Sequence, residues 1–162
     1  MNAPMILSPA ALAKIDQAIA KYPHDQKQSA VMAALTVAQD EKGWLSNETM
    51  DFIAQYLGMP PIAVYEAASF YTMYDLKPVG KCKIAICTNL PCALQGATVA
   101  AAYLKQKLGI GFGETTADGE FTLREAECMG ACGDAPLLIV NNKRMLCAMS
   151  PDKIDQLIEE NK

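Results

Sequence analysis

Six cysteines are the residues of this sequence whose type and spacing could do chemistry. Four form two pairs: Cys87 and Cys92, separated by Thr88-Asn89-Leu90-Pro91, and Cys128 and Cys132, separated by Met129-Gly130-Ala131. Three chemistries compete for such a set. A structural zinc site favours tight C-x2-4-C knuckles around one tetrahedron, and the first pair lies at the edge of that range. A dithiol oxidoreductase needs C-x-x-C at a helix start, a spacing absent from the sequence. A [2Fe–2S] cluster is a larger object whose two irons each take two thiolates, and loops of this size suit it. The plant-type ferredoxin spacing, C-x4-C-x2-C with a distant fourth cysteine, is a different arrangement.

The neighbours of the four cysteines fit the cluster. Two ferric ions, two sulfides and four thiolates sum to about −2, and reduction by one electron makes this about −3, so donors are needed around the sulfurs. Gly130 and Gly133 are expected to let the second loop fold its amides inward, and a helix starting at Cys92 to offer unpaired N–H groups. Leu90, Pro91, Met129 and Ala131 are expected to exclude water. Cys82 and Cys147 fall outside the pattern. Cys82 precedes a strand and Cys147 shares a strand face with Met145 and Met149, so both are read as small apolar packing residues.

Two sets of elements must position these residues. Up to Leu76 the apolar spacing is helical. Ser8-Pro9 opens a first helix with Leu12, Ile15 and Ile19 inward; Asp25 is expected to cap a second, with Val31, Leu35 and Ala38 inward and Gly43 at its end. Ser46 opens a third, with Met50, Ile53, Ala54 and Leu57 inward before Gly58. Pro60-Pro61 launches a fourth, with Ile62, Val64, Tyr65 and Ala68 apolar. Asp75 to Lys81 reads as a linker. Beyond it, Lys83–Cys87 predicts a buried strand, Ala93–Leu108 a helix, and Phe121–Arg124 a second strand. A hairpin follows, Leu137–Asn141 with Arg144–Met149, and then a last helix opened by Ser150-Pro151. In that order Cys87 ends the first strand and Cys128 and Cys132 follow the second, so both pairs reach one end of the sheet. The fold class is α+β: a small helical bundle over residues 1–76, then an α/β domain of thioredoxin-like type over 77–162.

The chain has 162 residues, 51% of them hydrophobic, and a net charge of −4. Such a chain buries a real core, and its acidic balance disfavours nucleic acid and anionic membrane as partners. No targeting leader is recognisable before Ser8. Ile84 to Leu104 carries no charge and is nominally long enough to span a bilayer, but its Thr88, Asn89, Pro91, Gln95 and Thr98 make it a strand, a loop and a helix. Gly109, Gly111 and Gly113 follow a helix instead of opening one, so they are a C-cap and turn, not a phosphate loop. The single histidine, His24, offers no acid–base or metal constellation. Trp44 is expected to anchor the bundle, and Asp16, Glu41, Glu48 and Asp51 to face solvent. The stripe Phe70, Tyr71, Met73 and Tyr74 fits either local core or a partner interface. Ala135-Pro136, before a strand, is a place for a cis proline.

Three groups of residues carry a family resemblance. They are Ile86-Cys87-Thr88-Asn89-Leu90-Pro91-Cys92, then Glu127-Cys128-Met129-Gly130-Ala131-Cys132-Gly133-Asp134-Ala135-Pro136, and, in the helical half, Gly43-Trp44-Leu45 with Ala67 to Tyr74. Together they resemble the thioredoxin-like [2Fe–2S] subunit of NADH:quinone oxidoreductase, respiratory complex I. The resemblance implies that Cys87, Cys92, Cys128 and Cys132 ligate one [2Fe–2S] cluster. It also implies a partner subunit that holds FMN and oxidises NADH, further peripheral-arm subunits, and a place on the cytoplasmic side of a bacterial inner membrane reached through the complex. Similar modules occur in NAD-linked hydrogenases and formate dehydrogenases, and a free-standing ferredoxin would explain the second half alone. By this reading no complete active site lies on the chain itself.

Overall fold

The computed structural model describes residues 6–162, and the chain divides into two compact units, one ending at Pro78 and the other Val79–Lys162. The first contains α1 (Pro9–Ile19), α2 (Val31–Lys42), α3 (Asn47–Leu57) and α4 (Pro61–Phe70). Ser8 accepts a hydrogen bond from the Ala11 N–H and Ser46 one from the Thr49 N–H, which satisfies donors left over at the starts of α1 and α3. Gly43 and Gly58 end α2 and α3 in the left-handed conformation. Ile15, Leu35, Leu45, Met50, Ile53 and Val64 meet in the core of this unit.

Several expectations for this half are corrected. Asp25 does not cap α2: the Gln26 N–H turns back to the Pro23 carbonyl at 2.8 Å, and a 3₁₀ turn, Lys27–Ala30, separates Asp25 from the helix. Ile62 lies on the outer face of α4 and is exposed, while Val64 and Ala68 face inward. The anchor after α2 is Leu45, fully buried, beside a half-buried Trp44. Of the aromatic stripe only Tyr74 is buried, its hydroxyl donating to the Met32 carbonyl at 2.8 Å; Phe70, Tyr71 and Met73 are exposed.

The linker is also shorter than Asp75 to Lys81. Asp75 is buried, its carbonyl accepting from the Leu45 N–H at 2.8 Å and its N–H donating to Gln39 Oε1 at 2.7 Å. At the other end, the Gly80 N–H donates to Thr122 Oγ1 at 2.6 Å and the Lys81 N–H to the Gly119 carbonyl at 3.2 Å. A Cβ at Gly80 would stand 2.7 Å from the Phe121 backbone, so only glycine permits this approach.

The second unit contains β1 (Cys82–Cys87), α5 (Leu90–Ala93), α6 (Ala97–Leu108), β2 (Phe121–Ala126), β3 (Leu138–Val140), β4 (Arg144–Leu146) and α7 (Pro151–Glu160). The sheet runs β2-β1-β3-β4, with β1 parallel to β2 and antiparallel to β3. The parallel pair needs a crossover, which α5 and α6 supply. Asn141 and Asn142 both have positive φ, 51° and 58°, as a tight turn between β3 and β4 requires. Alternation along the strands sends Ile84, Ile86, Leu123, Leu138 and Val140 into one core with Leu104 of α6 and Ile154 and Leu157 of α7. The Ala135–Pro136 bond is cis.

The predicted helix Ala93–Leu108 is two helices. Gly96, at φ 89°, breaks it, and Leu94, in the turn before it, is 80% exposed. No helix among the described residues is long and apolar enough to cross a membrane.

Candidate metal centre

Cys87 is the last residue of β1, and by the alternation of the strand it leaves the core that holds Ile86. Its N–H donates to the Leu137 carbonyl at 3.3 Å, which ties it to the segment entering β3. Cys92 is the third residue of the one-turn helix α5. Both are fully buried, in a small apolar cluster with Ala97 and Leu137. Met129, Ala131, Cys132, Ala135 and Cys147 pack against that cluster.

Because the helix breaks at Gly96, Cys92 does not open a long helix. α5 spans Leu90–Ala93 only, so the expected pull of a helix dipole on the sulfurs shrinks to that of one turn. The glycine expectation is half corrected. Gly130 has φ 75°, the left-handed turn that redirects the loop, whereas Gly133 sits in the 3₁₀ turn Cys132–Asp134, a conformation open to any residue. Leu90, expected to exclude water, is 72% exposed; Leu137, at the floor of the cluster, takes that role.

The structure thus brings Cys87, Cys92 and Cys132 together. The Cys92 thiol is pushed up to about 12, first by its hydrogen bond with Cys87, then by burial, with a further contribution from Cys132. Crowded sulfurs in an apolar site resist ionising separately, and a cationic iron core would supply the charge that lets them bind together as thiolates. The donor set therefore suits an iron–sulfur centre: soft sulfur ligands, apolar walls and a nearby loop bearing one more thiol. That fourth cysteine, Cys128, is exposed, and among the described residues no three Cys, His, Asp or Glu side chains converge on a ready-made metal geometry.

Two residues that sequence reasoning missed hold the loops. Gln95 Nε2 donates to the Cys132 carbonyl at 2.8 Å, joining the turn after α5 to the second cysteine loop. Thr88 Oγ1 donates to Glu125 Oε1 at 2.6 Å, joining the first loop to β2. Neither residue carries a sequence signal. Cys82, by contrast, lies within β1 in the core under α6 and α7, and burial pushes its thiol up to about 11.

Residues 15–162 match the thioredoxin-like [2Fe-2S] ferredoxin family. A subunit of the NADH-quinone oxidoreductase of Rickettsia bellii is 40% identical over 150 residues, 92% of this chain and 89% of that protein. The mitochondrial NADH dehydrogenase [ubiquinone] flavoprotein 2 of Dictyostelium discoideum is 42% identical over 132 residues, 81% of this chain, which spans 53% of that relative's length. Among solved structures, the NAD+-reducing [NiFe]-hydrogenase in its H2-reduced state aligns over 80% of this chain and 22% of its own, with a TM-score of 0.71 and 24% identity. That likeness is one of fold. Identity of 40% across nearly the whole chain goes further, and the chain belongs to the thioredoxin-like [2Fe-2S] ferredoxin family, beside the NADH-quinone oxidoreductase subunits it matches.

Proposed function

We propose that this chain is the electron-transfer subunit of an NADH:quinone oxidoreductase, holding one [2Fe–2S] cluster on Cys87, Cys92, Cys128 and Cys132. The observation that carries the reading is the shared apolar site of Cys87, Cys92 and Cys132, with Cys128 in the adjoining loop, in a chain so similar to a subunit of NADH-quinone oxidoreductase. The bound cluster supplies a one-electron relay, which a flavin needs when it passes on the two electrons of a hydride. The chain's own residues create the setting. Leu137, Ala97 and Met129 keep water from the sulfurs, the strand end at Cys87 fixes one ligand, and the Gln95 hydrogen bond holds the loop that carries Cys132.

FMN and NADH belong on a partner subunit in this reading, and the chain, peripheral on the cytoplasmic side of a bacterial inner membrane, meets the membrane only through the complex. An exposed apolar surface in the helical unit, Ile62, Phe70, Tyr71, Met73 and Leu76, supports a protein partner. The two units are read as domains, 1–76 and 77–162. The fold likeness to the NAD+-reducing hydrogenase favours an equivalent place in such an enzyme as the second reading.

The test is metal and acid-labile sulfide analysis of anaerobically prepared full chain, with co-purification of its native partners. Iron and sulfide in equal amounts, and a partner that brings flavin and oxidises NADH, are expected. Zinc without sulfide would overturn the cluster, and a stable chain that recruits no flavoprotein would overturn the subunit role.

A further inference from the structure

From spacing alone, Cys147 is a packing thiol on a strand face with two methionines. The sheet register gives it another position. β3 and β4 pair Leu138 with Leu146, so the next residues along the ladder, Leu137 and Cys147, stand opposite each other. Leu137 in turn accepts from the Cys87 N–H. The three residues form a row across the sheet, with Cys87 and Cys147 two strands apart, roughly 10 Å between backbones. Alternation sends this row into the cysteine site: Ile86, Leu138 and Leu146 belong to the core under α6 and α7, while Cys87, Leu137 and Cys147 belong to the cluster with Cys92 and Cys132.

The segment is tied down on both sides. The Ala148 N–H donates to the Asp134 carbonyl at 2.8 Å and the Met149 N–H to the Pro136 carbonyl at 3.0 Å, which fastens Cys147 to the loop that carries Cys132. Lys153 Nζ donates to the Ala148 carbonyl at 3.0 Å from the other side. Four of the six cysteines therefore share one apolar site, and the fourth of them is Cys147, not the exposed Cys128.

We propose that Cys147 is a reserve ligand that takes the place of Cys128 on the cluster when that thiolate is lost. The exchange is redox-neutral. The iron–sulfur bond to Cys128 breaks and its sulfur takes up a proton; the Cys147 thiol releases a proton and forms the replacing bond. Cys128 is the thiolate to be replaced because it alone of the four assigned ligands is exposed, and thus open to protonation from solvent. The inference rests on the proposed cluster, and deepens it by adding a fifth sulfur to its surroundings.

The experiment loads full-length wild type, Cys128→Ala, Cys147→Ala and the double variant anaerobically with ferrous iron and sulfide. Iron and sulfide per chain, the EPR spectrum of the reduced form and the unfolding temperature of the unloaded chain are then measured. Alanine offers no ligand atom, unlike serine. Cys147→Ala is expected to match wild type. Cys128→Ala is expected to keep most of its iron and sulfide with an altered EPR spectrum, and the double variant to lose nearly all of both while unfolding at the same temperature as the single variants. Cluster loss in Cys128→Ala equal to that in the double variant overturns the proposal, as does equal retention in both. Loss in Cys147→Ala alone also overturns it, since Cys147 would then be needed in the intact set. If the double variant alone unfolds early, a Cys128→Ala, Cys147→Val double variant, apolar and without a ligand atom at position 147, replaces it, with the same two outcomes. A wild type that takes up no cluster fails the proposed function instead, a result distinct from all of these.

Discussion

The loop with Cys87 and Cys92 begins inside the sheet, and the loop with Cys128 and Cys132 begins beyond its end. β1 and β2 run in parallel with Cys87 beside Ala126, so β1 delivers its cysteine as a strand residue while β2 has already stopped when Cys128 arrives. Both cysteines of the first loop are fully buried; in the second, Cys128 is exposed and Cys132 half-buried. One side of the site is built by strand geometry and core packing, the other by a left-handed turn at Gly130, a side-chain hydrogen bond from Gln95 and the backbone hydrogen bonds that Ala148 and Met149 donate to Asp134 and Pro136. A site so divided has a rigid half that sets where the sulfurs stand and a looser half where a ligand could be replaced.

The largest effect should come from removing a sulfur from the rigid half. Cys92→Ala is expected to abolish iron and sulfide uptake whatever stands at position 147, and a normal content in that variant would break the contrast between the loops. Leu137→Ala removes the buried floor of the site and should cost about 2–5 kcal/mol of stability, read from denaturant unfolding of the unloaded chain. A third test uses pH on the strand's other face. The Cys82 thiol is raised to about 11 from an ordinary 9.0 by burial. Its folded form thus holds the proton more tightly than its unfolded form, so its contribution is fully present below pH 9 and is lost as pH climbs to about 11. That loss is at most roughly 2–3 kcal/mol, and Cys82→Ala should flatten the decline in a pH series of unfolding curves. The smallest effect belongs to the looser half. A Cβ at Gly130 meets open space, so Gly130→Ala costs only the strain of a left-handed backbone, about 1–2 kcal/mol. A cost as large as that of Leu137→Ala would show the second loop to be as rigid as the first.

Much of this is legible in the sequence where a local rule decides. Ser8, Ser46 and Ser150 cap the helices they precede, because a hydroxyl before a helical run meets a free N–H within one turn. The Asn141-Asn142 turn and the pairing of β3 with β4 follow from residues that tolerate positive φ between apolar runs. Sequence and structure part where two local signals compete. Apolar spacing argues for one helix from Ala93 to Leu108, and it continues on paper through Gly96, whose left-handed backbone ends the first turn. Side-chain size favours Trp44 over Leu45 as the anchor because a large ring offers more area to bury, but burial depends on which way the chain turns after Gly43.

Residue types and spacings by themselves determined the two cysteine pairs, the helical half and the α/β half, because these depend on contacts within a turn or along a strand. Only the tertiary structure decided which sulfurs meet. Cys82 and Cys147 look alike in sequence, yet strand alternation turns Cys82 into the core under the helices, and pairing two strands away turns Cys147 toward Cys87, Cys92 and Cys132. The side of a strand that a residue faces is local, but what waits on that side is assembled from segments far apart in the chain.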